Sequence, residues 1–128
     1  SLPPVYGDGT VLIIDDDSKI RANLSDLLTA LGYKVISESG WKKGIELYRA
    51  RQDEIDIIII DMVMPEMTGA EAIELLYELD NNVSIIISSG FHNEDAANFN
   101  NQGVKGYIQK PFRMNDLSRL IQSVLGEN

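Results

Sequence analysis

Ile57-Ile58-Ile59-Ile60-Asp61-Met62-Val63-Met64-Pro65 is the stretch that decides the fold. Consecutive β-branched apolar residues read as a strand buried on both faces, the kind found in parallel sheets. The run stops at one carboxylate. Met64-Pro65 then turns the chain away, because the residue before a proline avoids the helical region. Asp61 therefore falls at the carboxyl end of a central strand, where open α/β sheets place their ligand sites. Taken alone it reads equally well as an ordinary turn aspartate. The other strand ends decide between the two.

Upstream, Val11-Leu12-Ile13-Ile14 is a short apolar strand that runs straight into Asp15-Asp16-Asp17-Ser18. Asp17 or Ser18 can cap the helix that follows, whose apolar stripe is Ile20, Leu24, Leu27, Leu28 and Leu31. Gly32 stops it. Residues 34–37 form a second strand around Val35-Ile36. Residues 40–51 form a second helix with Trp41, Ile45 and Tyr48 on one face. Downstream, Thr68 and Glu71 fit a capping box opening a helix that buries Ile73, Leu76 and Tyr77. Asn81-Asn82 marks a turn. Residues 83–88 are the fourth strand, ending in Ser88-Ser89-Gly90. Residues 93–102, rich in asparagine and poor in apolar surface, make a weak helix. Residues 106–109 are the fifth strand, with Lys110-Pro111 after it. The last helix starts near Met114 and buries Leu117, Leu120, Ile121, Val124 and Leu125.

Five strands alternating with five helices imply right-handed crossovers and an α/β fold, a parallel sheet covered on both faces. The doubly wound, flavodoxin-like (αβ)5 order 2-1-3-4-5 is the favoured topology. Its switch point lies between the first and third strands. Those are the strands that end in Asp15-Asp16 and Asp61. Serine ends the fourth and lysine the fifth, so the chemically able residues gather at one sheet edge.

Composition narrows the function. A chain of 128 residues is one domain with room for a real core. The net charge of −9 argues against nucleic acid or an anionic membrane as a direct partner. There is no cysteine, which excludes disulfides and thiolate metal sites. No apolar run approaches the roughly 20 residues of a membrane span, so a cytoplasmic location is expected. Residues 1–9, with their prolines and glycines, read as a tail or linker before a domain spanning 10–128. The lone histidine, His92, lies in a polar loop and reads as a surface residue.

Three carboxylates at one sheet edge repel each other and raise one another's pKa values unless a cation is present. Hard oxygen ligands without histidine or cysteine suit Mg²⁺ or Mn²⁺, not zinc. A carboxylate beside such an ion can attack a phosphoryl group. A metal and a lysine would neutralise the phosphoryl oxygens, and a serine hydroxyl can bond one of them. Asp61, Asp15, Asp16, Lys110 and Ser89 supply these parts. Each alone has a plainer reading, helix capping for the acids and a solvated strand end for the lysine. Their coincidence on separate strand ends does not.

The motifs 11–17, 60–65 with Gly69, Ser88-Ser89-Gly90 and 106–112 resemble, in order, those of the receiver domain of bacterial response regulators, the phosphoacceptor half of two-component signalling. The resemblance implies that Asp61 is phosphorylated by a phosphohistidine of a histidine kinase or a histidine phosphotransfer domain. It implies Mg²⁺ held by Asp16, Asp61 and the Val63 carbonyl, with Asp15 acting mainly through water. Ser89 becomes the switch hydroxyl, Tyr107 the switch aromatic and Lys110 the contact to a phosphoryl oxygen, with a cis bond to Pro111. Such a domain promotes its own phosphorylation and dephosphorylation rather than acting as an ordinary enzyme. Val63 and Phe91 occupy the two variable positions that flank the path of the hydrolytic water. The pairing of Ser-Gly-Phe with Ile-Gln-Lys-Pro-Phe resembles receivers fused to hybrid histidine kinases.

Three rival readings fit the chain less well. A haloacid-dehalogenase-type phosphatase needs a second aspartate two residues after the first, where this chain has Val63. A flavodoxin-like flavin binder needs a phosphate loop after the first strand, where this chain has three acids. A receiver that signals by protein contact alone, without phosphorylation, would have no use for the full acidic set.

Overall fold

The computed structural model describes residues 3–90 and 101–126. Five strands form one parallel sheet: β1 (Thr10–Ile14), β2 (Lys34–Glu38), β3 (Ile57–Asp61), β4 (Ile85–Ser89) and β5 (Val104–Gln109). Their order is β2-β1-β3-β4-β5, the doubly wound topology expected from the sequence. Four helices are described: α1 (Ser18–Ala30), α2 (Trp41–Arg51), α3 (Gly69–Leu79) and α4 (Met114–Gly126). The helix expected over residues 93–102 falls almost wholly outside the described residues, as do Phe91 and His92.

The period-two alternation of the strands builds two cores. Leu12, Ile14, Ile58, Ile60, Ile85 and Ile87 face one way and pack with Trp41, Ile45 and Tyr48 of α2 and Ala72, Ile73 and Leu76 of α3. Val11, Ile13, Ile57, Ile59 and Ile86 face the other way and pack with Leu24 and Leu28 of α1 and Leu117, Ile121 and Val124 of α4. Each such side chain contributes roughly 1.5–3 kcal/mol by leaving water. That is why the all-apolar runs of β1, β3 and β4 are read so easily: no face of them is left to solvent. The edge strands β2 and β5 keep exposed positions and blur at their ends.

Local chemistry sets the element boundaries. Asp17 caps α1, accepting from the backbone N–H groups of Lys19 and Ile20. Thr68 and Glu71 close the expected capping box at α3. Gly44 lets α2 approach the end of β1, since a Cβ there would collide with Ile14 Cδ1. Residues 3–9, read from sequence as a tail or linker, hold neither strand nor helix but lie against the domain. Val5 N–H donates to Ser118 Oγ, Gly7 N–H to the Leu31 carbonyl, and Arg119 to the Pro3 carbonyl. Among the described residues no helix is long and apolar enough to cross a membrane.

Candidate functional site: an acidic cluster at the carboxyl edge of the sheet

Strand β1 ends at Ile14, and the next residue stays in the sheet through Asp15 N–H bonded to the Glu38 carbonyl. Asp17 turns outward to cap α1 while its own N–H donates to Asp15 Oδ1 at 2.9 Å. That division of labour leaves Asp15 facing inward, 2% exposed, and Asp16 exposed at the rim. Asp61 closes β3 from the other side of the switch point. Its Oδ1 accepts from Val63 N–H at 3.0 Å. Carboxylate oxygens of Asp15, Asp16 and Asp61 all lie within 4.8 Å of one another. The three acids singled out from sequence are thus one cluster.

Lys110 reaches the cluster from the end of β5. Its Nζ stands 3.2 Å from Asp61 Oδ2 and 3.4 Å from Asp15 Oδ2. Its backbone N–H donates to the Ser89 carbonyl at 2.9 Å, which ties the ends of β4 and β5 together. Ser89 itself closes β4, beside the register pair Asp61–Ser88 that joins β3 to β4. The Lys110–Pro111 bond is cis, as the resemblance implied. Tyr107, opposite Ile87 in the β4–β5 ladder, is 41% exposed. The Val63 side chain is 70% exposed beside Asp61. Gly69 admits this loop, because a Cβ there would collide with the Met62 side chain and press on its Cα.

Burial is the main force on Asp15, and it lifts that carboxyl above the ordinary range. The charge of Asp61 adds to the rise, while the Asp17 N–H and Lys110 pull it back. An acid so placed is poised for a cation. Three carboxylates without a histidine or cysteine form a donor set for a hard divalent ion such as Mg²⁺. Arg21 was not read from the sequence as part of the site. One turn into α1, its Nη1 donates to the Asp15 carbonyl at 2.7 Å and steadies the β1–α1 turn. Nothing in its spacing sets it apart from any other polar residue of α1.

The chain matches the family model described as response regulator receiver domain over residues 11–122. The chemotaxis protein CheY of Thermotoga maritima is 33% identical over 116 residues, covering 89% of this chain and 92% of that protein. A response regulator receiver domain protein from Clostridium thermocellum superimposes with a TM-score of 0.84 at 28% identity, over 93% of this chain and 95% of the other. A chain of the CheX–CheY–BeF3–Mg²⁺ complex from Borrelia burgdorferi superimposes with a TM-score of 0.80 at 25% identity, over 91% of this chain and 88% of the other. The sheet order, the acidic cluster at the switch point and the match along nearly the whole chain lead to one assignment: the chain belongs to the response regulator receiver domain family.

Proposed function

We propose that Asp61 is the phosphoacceptor of a two-component signalling pathway. One observation carries this reading: Lys110 Nζ bridges Asp15 and Asp61 inside a cluster of three carboxylates at the switch point of the sheet. The donor is a phosphohistidine of a histidine kinase or of a histidine phosphotransfer domain, met in the cytoplasm. An Asp61 carboxylate oxygen attacks phosphorus, the P–N bond to the imidazole breaks, and an acyl phosphate forms. Asp16, Asp61 and the Val63 carbonyl would hold Mg²⁺, with Asp15 acting through water; Mn²⁺ would suit the same oxygen donors. The ion supplies positive charge against the phosphoryl oxygens. Lys110 supplies the second cation. It needs little movement, because it already lies against Asp61. The Ser89 hydroxyl then bonds a phosphoryl oxygen, and the space it vacates admits the ring of Tyr107, which turns inward from its exposed position. That turn changes the surface offered to an output partner.

The test is phosphoryl uptake from a small donor. Incubated with acetyl phosphate and Mg²⁺, the chain gains the mass of one phosphoryl group, and chelation of the metal abolishes the gain. No uptake under either condition sinks the phosphoacceptor reading and favours signalling by protein contact alone.

A further inference from the structure

Sulfur is gathered at one place in this chain. There is no cysteine, and three of the four methionines, Met62, Met64 and Met67, stand in the six residues after Asp61. All three are partly buried and pack against the core beneath α2 and α3, while Val63, Pro65 and Glu66 between them are exposed. Met62 lays its sulfur against Gly69, the first residue of α3. The fourth methionine, Met114, opens α4 and packs on the other core.

The thioethers are what hold this loop. At one end Val63 N–H is held by Asp61 Oδ1, and at the other Thr68 is held by its capping box. Residues 64–67 make no hydrogen bond among the described residues. Between the two ends, the packing of Met62, Met64 and Met67 sets the course of the chain. Methionine suits the task, because its unbranched, polarisable side chain fills irregular gaps. Its sulfur is also the weak point. Oxidation turns the thioether into a polar sulfoxide, which is costly to keep against an apolar core without a partner. Partial exposure brings a small oxidant to the side chains that anchor the loop.

We propose that Met62, Met64 and Met67 form a peroxide-sensitive modification site, whose oxidation loosens the loop after Asp61 and weakens the divalent-metal site. The oxidant is hydrogen peroxide. A methionine sulfur attacks one peroxide oxygen and the O–O bond breaks. The sulfur keeps that oxygen and loses two electrons, and the transferred oxygen's proton leaves with the other oxygen as water. The loosened loop no longer presents Asp61 and the Val63 carbonyl together, so phosphoryl uptake falls with metal affinity. The proposal rests on the receiver reading above, which makes those two groups metal donors.

The experiment exposes the full chain to graded hydrogen peroxide, maps the sulfoxides by mass spectrometry, and titrates each sample with Mg²⁺ by calorimetry. Oxidation at positions 62, 64 and 67 should speed amide exchange in residues 62–68 without metal. If the loop is then competent for a tenth to a third of the time, Mg²⁺ binding weakens roughly three- to tenfold. Methionine sulfoxide reductases acting on both epimers should restore the affinity. Replacing the three by leucine, a volume-conserving change, should keep wild-type affinity and abolish the sensitivity, whereas Met114→Leu should keep it. Unchanged affinity in a chain oxidised at all three positions overturns the proposal. So does oxidation confined to Met114, or a loss of affinity that the reductases do not reverse. An untreated wild type that binds no Mg²⁺ refutes the metal site itself, a failure seen before any peroxide is added.

Discussion

Removing Lys110 should destabilise the metal-free protein, and Mg²⁺ should repair the damage. Lys110 Nζ lies 3.2 Å and 3.4 Å from two of three carboxylates that crowd within 4.8 Å. At an effective dielectric constant of about 20, unit charges at these separations interact by roughly 3–5 kcal/mol. The three repulsions and the two attractions are then of similar total size, so without a metal the cluster is close to balanced. Lys110→Ala upsets that balance. A carboxyl can escape by binding a proton, which from the ordinary value of 3.8 costs about 4 kcal/mol at neutral pH and so caps the loss. The Lys110 side chain is 19% exposed. With solvent screening the expected loss is about 1–3 kcal/mol. Urea unfolding measures it. Millimolar Mg²⁺ replaces the missing cation, so the deficit should shrink and the metal should stabilise the variant more than the wild type. Acid should help as well. Asp15 is raised in the folded protein, so as pH falls from neutral through its folded value, the native state takes up a proton before the unfolded chain does and gains stability. The variant removes the Lys110 charge that holds Asp15 down, so Asp15 rises further and the deficit should narrow as pH falls from neutral. A deficit that is the same with and without Mg²⁺, and the same at neutral and lower pH, would refute this account of the cluster.

Three further outcomes are expected. Mg²⁺ should raise the melting temperature of the wild type, and Asp16→Ala should lose most of that rise; a melting curve unmoved by millimolar Mg²⁺ counts against the site. A beryllofluoride mimic of the phosphoryl group should change amide exchange in β5 around Tyr107 and at Ser89, since the ring moves inward as the hydroxyl engages; equal protection with and without the mimic refutes the switch. Val63→Asn should speed loss of the phosphoryl group, because the exposed apolar side chain beside Asp61 cannot orient a water. With Phe91→Glu added, the gain should reach roughly tenfold if about 1.4 kcal/mol of barrier is involved. Release at the wild-type rate or slower contradicts the gating role of these residues.

Most of the fold was legible because burial on both faces leaves a plain mark. The runs of β1, β3 and β4 admit no polar residue until the strand ends, so the carboxylates after Ile14 and Ile60 announced the sheet edge themselves. The edge strands were harder. Strand β5 starts at Val104, two residues before the sequence indicated, because its alternate positions face solvent and its pattern resembles a loop. The acids and Lys110 were legible as a set because the topology, once fixed, leaves their strand ends one place to meet. The split among Asp15, Asp16 and Asp17 was not. Which acid turns outward depends on Asp17 N–H bonding Asp15 Oδ1, a local geometry that composition does not encode. The docking of residues 3–9 was equally silent. It depends on Gly32, at φ +107°, where a Cβ would strike the Gly7 carbonyl oxygen.

The account stands most directly on where the phosphoryl group goes. Label the chain with acetyl phosphate and Mg²⁺, trap the acyl phosphate with borohydride, and locate the reduced residue by mass spectrometry. The account predicts a single modified residue, Asp61, and no label in Asp61→Asn. Label on Asp15 or Asp16 in the wild type, or undiminished label in Asp61→Asn, would contradict it.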